Sequence, residues 1–380
     1  MVKRLVQLFF FMLPCAWSYA QVLSEEAAGA LADSLIAAEK SRYQEQAAQQ
    51  WSQKQITHPS GAIMTFELKV FGEKPIDGRS LYISLHGGGN AAAEVNDKQW
   101  ANQIDLYTPT EGVYVAPRGP TNSWMLWHED FIDDLFDELI KTAIIMEDVN
   151  PAKIYLLGYS AGGDGVFQLA TRMADRWAAA AMMAGHPNDA RPENLRNLPF
   201  AIFMGGLDSA YQRNRVAGEW THKLDSLQRA DQGGYTHISH IYPQYGHWME
   251  RADTVAIDWM AQYTRKSTPN KVVWIQDDRT HERFYWLGVP PTEAEQGKGK
   301  KIVATIDGQT ISILENDYKA FYIYLNDELV DLDQPITVLY KGTQVMHGRF
   351  YRDKLVIEET ISRLDRQQVA TVRLNMSSGS

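Results

Sequence analysis

Gly158-Tyr159-Ser160-Ala161-Gly162 holds one serine between glycines, where the apolar run Ile154 to Leu157 gives way to a helix-like pattern. A serine hydroxyl is a weak nucleophile until a neighbouring base takes its proton. A G-x-S-x-G turn between a strand and a helix serves that purpose, because the sharp turn lifts the serine oxygen above the end of the sheet. The flanking glycines follow from the same geometry, since side chains there would clash inside the turn. A glycine-rich turn can also cradle phosphate, but G-x-G-x-x-G is absent and no Walker lysine is present.

A second stretch, Ser84 to Asn90, reads SLHGGGN at the end of another predicted strand. Consecutive glycines leave backbone N–H groups uncovered, and such groups stabilise an oxygen that gains negative charge during acyl transfer. Gly87 and Gly88, with the Ala161 N–H, are the expected oxyanion donors. A general base and an orienting carboxylate are then needed after the nucleophile, in the order acid, histidine. Asp208 follows the strand-like FAIFMGG, and His247 stands in YGHWM on the last loop before a helical stretch. The competitors fit less well: His186 precedes the acid, His237 and His240 lie within a strand pattern, and Asp225 and Asp231 sit in or at the end of a helical stretch.

Trp124, Trp127 and Tyr159 are the residues expected to line a substrate pocket, with core packing as the other role open to the two tryptophans. His128, Glu129 and Asp130 offer three potential metal ligands in a row, but adjacent positions on a helix face different ways, so no metal is expected there. The chemistry requires no organic cofactor.

These residues need elements that bring them to one place. Seven apolar runs are predicted as strands: 63–72, 80–89, 112–119, 153–160, 177–185, 199–206 and 236–243. Several lack alternation, as expected for strands covered on both faces. Helices are predicted over Asp130–Glu147, Gly163–Ala174, Ser209–Arg229 and Met249–Tyr263, and an Ala/Glu/Gln-rich helix over 24–55. The alternation predicts an α/β sandwich with a mostly parallel sheet and right-handed crossovers. Beyond Ser267-Thr268-Pro269-Asn270 the pattern becomes strand-like with Gly, Asn and Asp in the gaps. This predicts a C-terminal all-β domain, sandwich-like, over 271–380, with apolar and aromatic residues sufficient for a core of its own. The expected division is thus 1–20 leader, 21–60 helical extension, 61–266 catalytic domain and 271–380 β domain.

HGGG, G-x-S-x-G-G, Asp208 after a strand and Gly-His before a terminal helix together resemble the α/β-hydrolase superfamily. More narrowly, GYSAGGDG with GGLDSAYQRN and YGHWM resembles the secreted esterases grouped with feruloyl esterases and polyhydroxyalkanoate depolymerases. The resemblance covers roughly residues 61–265, and the β domain lies outside it. It implies a serine carboxylesterase acting through Ser160, Asp208 and His247. HGGG with Ser-Ala-Gly-Gly is also similar to hormone-sensitive-lipase-type esterases, whose usual acidic residue before the nucleophile is Tyr159 here.

Composition sets outer bounds. The 44% hydrophobic share is that of a globular chain. Lys3 and Arg4, the apolar Leu5 to Leu13 and the small-residue Ser18-Tyr19-Ala20 predict a cleaved signal peptide, hence a secreted or periplasmic protein. Cys15, the single cysteine, would leave with it, removing disulfides and thiol chemistry; retention of Cys15 as a lipid anchor lacks the usual small residue before it. Without Lys3 and Arg4 the 37 basic residues become 35 against 47 acidic, a net charge of −12. Such a surface disfavours nucleic acid, and no later apolar run is long enough for stable membrane insertion. The expected partner is an ester substrate, a small molecule or one linked to carbohydrate or polymer. A serine peptidase of the same fold and a non-catalytic binding protein on this scaffold are the rival readings.

Overall fold

The chain's apolar runs assemble into an eight-stranded sheet. In the computed structural model residues 22–378 are described, so the expected leader and Cys15 lie outside the described residues. The strands are β1 (Gln55–Thr57), β2 (Ile63–Phe71), β3 (Arg79–Leu85), β4 (Gly112–Pro117), β5 (Val149–Tyr159), β6 (Ala179–Met183), β7 (Phe200–Gly205) and β8 (His237–Tyr242). Their order is β1-β2-β4-β3-β5-β6-β7-β8, antiparallel at the β1–β2 and β2–β4 pairs and parallel throughout the rest. This is an α/β sandwich built on a mostly parallel sheet.

Period-two alternation sends neighbouring side chains to opposite faces. Leu81, Ile83 and Leu85 of β3 join one apolar cluster, while Tyr82 joins the other. The first face is covered by α1 (Glu25–Gln53), α3 (Ile132–Glu147), α4 (Ala161–Arg172) and α5 (Arg213–Ala230). The second is covered by α2 (Ala93–Ile104) and α6 (Val255–Met260). Helix α1 is capped by Ser24, whose Oγ accepts from Ala27 N–H at 3.2 Å, and ends where Lys54 turns left-handed. Gln46 and Gln50 then bind Glu138 of α3 at 2.7 and 3.0 Å, fixing α1 to the hydrolase body.

The differences from the sequence pattern have local causes. Helix α2 escapes a periodicity reading because two of its buried positions, Asn96 and Gln103, are polar. The stretch expected as one helix from Ser209 begins as a 3-10 turn in which Tyr211 and Gln212 are left-handed, and regular helix starts at Arg213. The stretch expected from Met249 to Tyr263 is α-helical only over Val255–Met260, after a 3-10 turn at Ala252–Thr254, because left-handed Glu250 and Arg251 turn the chain first.

Beyond Asn270 lie β9 (Lys271–Ile275), β10 (Arg283–Phe284), β11 (Leu287–Gly288), the short α7 (Pro291–Ala294), β12 (Lys301–Asp307), β13 (Thr310–Asn316), β14 (Ala320–Leu325), β15 (Ile336–Tyr340), β16 (Thr343–Gly348), α8 (Lys354–Thr360) and β17 (Val372–Ser377). They form a four-stranded sheet, β10-β11-β14-β17, and a five-stranded one, β16-β15-β13-β12-β9. The core of this region is shared with the α/β part. Trp274, Phe284, Tyr285, Trp286 and Phe321 are buried in the same continuous apolar cluster as Trp177 and Leu195. The side chain of Asn194 stitches the seam, accepting from Ile275 N–H at 2.7 Å and donating to Ile275 C=O at 2.9 Å. Arg265, itself buried, pairs with buried Asp365 across the same boundary.

A chain ended at Lys266 is expected to lose its cooperative thermal transition and near-ultraviolet circular dichroism. Each core tryptophan or phenylalanine removed costs about 3–5 kcal/mol, and several contribute to this seam. A truncated protein that melts cooperatively, monitored by calorimetry, would show instead that the hydrolase part closes its own core.

Candidate active site

The parallel register brings the carboxyl ends of β3, β5, β6 and β7 to one edge, with Leu85 beside Gly158, Tyr159 beside Met183 and Gly205 beside Tyr242. Ser160 stands between β5 and α4 with φ 59° and ψ −121°. A non-glycine residue held there stores about 1–3 kcal/mol of strain. Ser160 N–H donates to Met183 C=O at 2.9 Å and Ser160 C=O accepts from Asp164 N–H at 3.0 Å, so the conformation is fixed from both sides. A methyl on Gly162 would lie 2.1 Å from Leu85 C=O, and one on Gly158 would lie 2.4 Å from Gly162 C=O. Both positions therefore require glycine.

His247 Nε2 lies 2.9 Å from Ser160 Oγ, and His247 Nδ1 lies 2.7 Å from Asp208 Oδ2. The three residues come from three different loops. Asp208 is buried, with its C=O accepting from Asn214 N–H at 3.1 Å and Arg213 Nη1 3.8 Å from its Oδ1. The His247 side chain is 44% exposed, so the imidazole faces a solvent-accessible cleft. Other candidates are engaged elsewhere: Asp225 binds His237 at 3.1 Å, Asp231 binds Arg196 at 2.8 Å, His186 Nδ1 accepts from Asn188 N–H at 2.9 Å, and His240 stacks on Phe203.

The glycine loop is held by side chains that the sequence did not single out. His86 is fully buried; its Nδ1–H donates to Gly87 C=O at 2.5 Å and its Nε2 accepts from Gly119 N–H at 3.0 Å. Burial pushes His86 down to about 4, so the ring is neutral and can donate from one nitrogen and accept at the other. Asn96 Oδ1 accepts from Gly89 N–H at 2.8 Å, while its Nδ2 donates to Ala91 C=O at 3.1 Å. Gly88 is left-handed, at φ 113°, and a side chain there would strike Asn96. With Gly89 occupied, the Gly87, Gly88 and Ala161 N–H groups make no hydrogen bond among the described residues. Three uncovered donors therefore border Ser160.

Trp127 is a correction to the expected pocket wall. It is fully buried, and its Nε1–H donates to His86 C=O at 3.0 Å, which makes it a support of the glycine loop rather than a surface for ligand. Tyr159 does line a cleft of about 730 Å³ together with Gly87, Gly88, Ser160, His247 and Trp248. Its hydroxyl has a further role: it donates to His247 C=O at 2.8 Å and accepts from Met249 N–H at 2.9 Å, bracing the histidine loop. Trp124 is exposed, 5.6 Å from the Tyr211 ring, and helps line a second pocket of about 240 Å³ with Asp164, His186, Asn188 and Arg213. Asp164 is buried there and accepts from His186 N–H at 2.6 Å. Desolvation raises it to about 6.

His128 is buried, and burial lowers it to about 4, whereas Asp130 is exposed. Among the described residues, Asp189, Asp277 and Asp278 bring three carboxylate ligand atoms within 4.8 Å of one another, with Arg172 Nη1 3.6 Å from Asp278 as a counter-charge. No described helix is long and apolar enough to cross a membrane.

No family model matches this chain, and no curated protein matches it. Among solved structures it is similar to a thermostable esterase, at 20% identity over 56% of this chain and 62% of that one, with a TM-score of 0.40. It is also similar to a ferulic acid esterase, at 13% identity over 55% of this chain and 96% of that one, TM-score 0.40. An acetyl xylan esterase from Paenibacillus sp. R4 is similar at 11% identity over 55% and 82%, TM-score 0.38. The chain spans less than two-thirds of the thermostable esterase.

Tyr159→Phe keeps the ring and removes the brace on the histidine loop. Losing two hydrogen bonds at about 1 kcal/mol each is expected to lower kcat on a nitrophenyl ester up to about 30-fold with little change in KM; an unchanged kcat would remove Tyr159 from the support of His247. Asp164→Asn tests the buried carboxyl separately. Its folded pKa, about 6, stands above the ordinary 3.8, so the ionised form is disfavoured in the folded state and stability falls as pH rises through that window. Asparagine can still accept from His186, so the variant is expected to melt higher than the parent at pH 7–8 and to lose this advantage below pH 4. Melting curves across pH check it, and a lower melting temperature at pH 8 would contradict the assignment.

Proposed function

We propose that this protein is a secreted or periplasmic serine carboxylesterase acting through an acyl-enzyme. The observation that carries the reading is the relay Asp208–His247–Ser160, at 2.7 and 2.9 Å, ending on a strained serine beside three free backbone N–H groups.

In this reading His247 Nε2 takes the Ser160 proton as Oγ attacks the ester carbonyl carbon. Asp208, accepting from Nδ1–H, holds the tautomer that leaves Nε2 free and stabilises the imidazolium that forms. The N–H groups of Gly87, Gly88 and Ala161 receive the oxyanion, and the start of α4 adds its favourable dipole to that position. Collapse of the tetrahedral intermediate breaks the ester C–O bond, with His247 returning its proton to the departing alkoxide. Water, deprotonated by the same nitrogen, then attacks the acyl-enzyme and releases the acid and Ser160.

The substrate belongs with esterified polysaccharide or another ester polymer. Support comes from the size of the cleft, about 730 Å³, and from its mixed lining, with exposed Trp248 beside the polar Gln99, Asn102 and Arg251. The exposed Trp124–Tyr211 pair lines a further pocket with Asp164 of α4, a second aromatic surface for a polymer chain.

Ser160→Ala is expected to cut hydrolysis of a nitrophenyl ester by about 10⁴-fold or more while leaving the melting temperature near that of the parent. Asp208→Asn should impair kcat strongly, and Asp225→Asn should leave it within about twofold. Residual activity of Ser160→Ala within tenfold of the parent, or no labelling of the parent by a serine-directed phosphonate, would overturn the mechanism. Rates on acetylated xylan, feruloylated sugars, short-chain aliphatic esters and a peptide anilide rank the substrate classes, and the anilide is expected to be the slowest.

A further inference from the structure

Where the C-terminal region meets α3 and the start of β5, four arginines converge on a cleft of about 380 Å³: Arg176, Arg265, Arg283 and Arg363. A second cavity of about 320 Å³ lies against it and shares Glu282, Arg283, Ser362 and Arg363 in its walls. Cavities of this size suit small organic molecules.

The charges around the seam are mostly paired: the cleft walls also carry Asp134, Glu138, Glu282 and Lys141, and Lys141 Nζ lies 3.3 Å from Glu39. Asp137 is taken by Arg176 at 2.6 Å, Asp365 by Arg265, and Asp175 by Arg363 at 2.5 Å. Further out, Asp134 pairs with Arg279 at 2.8 Å and Glu359 with Arg373 at 2.6 Å. Three of the four guanidinium groups thus have a close carboxylate partner, and the remaining one is Arg283. Its Nε–H donates to Tyr285 C=O at 3.2 Å, its Nη2 donates to Gln368 C=O, and it lies 4.8 Å from the centre of the Tyr324 ring. It makes no ion pair among the described residues, and its Nη1 makes no hydrogen bond there; neighbouring Glu282 is exposed. Arg363 likewise uses Nη1 for Asp175 and Gln368 and leaves Nη2 unbonded.

Arg283 is half-buried, so its guanidinium carries part of the desolvation cost of a charge without a counter-ion. The field is consistent with that: burial first, then the charge of Arg363, pushes Arg283 down to about 10, whereas Arg176, with its carboxylate partners, is raised. Two carbonyls and an aromatic ring hold Arg283 in place, so its free edge is already oriented, and a preorganised donor loses little entropy on binding. Guanidinium edges match the oxygens of carboxylate, phosphate and sulfate.

We propose that this cleft is a second binding site, separate from the catalytic cleft, that takes an oxyanion-bearing small molecule on the free edges of Arg283 and Arg363. The two cavities that meet at these arginines accommodate the rest of the ligand on either side.

The test uses the full mature chain and reads binding, so it does not depend on the catalytic assignment. Inorganic phosphate, sulfate and galacturonate are titrated at constant ionic strength set with sodium chloride, with calorimetry and thermal melting as readouts. A saturable rise in melting temperature, with a dissociation constant in the millimolar range or below, is expected for at least one of the three probes. Which probe binds tightest separates a carboxylate source from a phosphate or sulfate source. Arg283→Gln, which keeps a side chain able to donate to the two carbonyls, is expected to weaken that binding at least tenfold while hydrolysis of a nitrophenyl ester stays within twofold of the parent. Ser362→Glu, a change at an exposed position on the shared wall, supplies a competing carboxylate and is expected to weaken it similarly, and it gives the answer if Arg283→Gln does not fold. No saturable effect from any probe, or binding that survives both the Ser362→Glu change and a folded Arg283→Gln, would overturn the site.

Discussion

The approach of the α4 N-terminus to the sheet is the constraint on which the rest of the site depends. Gly162 lies so near Leu85 C=O that a single added carbon would stand 2.1 Å from it. That closeness forces Ser160 into φ 59°, ψ −121°, and it places the uncovered Ala161 N–H beside the glycine loop that follows β3. Ser160 and the uncovered N–H groups are therefore set by one contact between backbones, not by two independent loops. The strain at Ser160 is sustained because its N–H and C=O are both bonded, to Met183 and Asp164.

Around that contact, polar side chains take over the work that apolar packing does elsewhere. Loops at the carboxyl end of a sheet have little core to hold them, and their backbone groups must find partners. Buried His86 and Asn96 fill this need on the glycine loop, with Trp127 donating to the same segment, and the Tyr159 hydroxyl fills it on the histidine loop. Tyr159 directly precedes Ser160 in the chain, so the bond it makes to His247 C=O ties His247 to Ser160 through a second path besides the Nε2–Oγ contact. A neutral His86 suits its position, because its ring donates to Gly87 C=O and accepts from Gly119 N–H while fully buried.

The C-terminal region is joined to the hydrolase part by two different kinds of interaction. Apolar burial of Trp274, Phe284 and Tyr285 against the α4 side makes a continuous core. The rim of the same seam is ionic, and buried ion pairs contribute registry more readily than net stability. Arg265 with Asp365, Arg363 with Asp175 and Asn194 with the backbone of Ile275 each fix one position along the interface. This arrangement explains why the aromatics of the β region face inward, with Tyr285 and Trp286 at 1% and 2% exposure, leaving few of them for the surface.

The sequence by itself determined the sheet and the candidate site. Seven of the eight strands are apolar runs long enough to read without a partner, and Ser160, Asp208 and His247 lie in motifs whose order along the chain is fixed by the order of the strands. Ser160, Asp208 and His247 were legible for that reason, and the structure places all three within hydrogen-bonding reach. Tertiary structure alone decided what supports them. Helix α2 was illegible because its buried residues are Asn96 and Gln103, which bury for hydrogen bonds to Gly89 and Ser84 and leave no apolar stripe. Trp127 looked like a pocket residue because burial cannot be read from an aromatic type alone, and the left-handed turns at Tyr211–Gln212 and Glu250–Arg251 break helical patterns that composition permits. The shared core was hidden for a related reason: an apolar strand pattern shows that a face is covered, but only the packed chain shows what covers it.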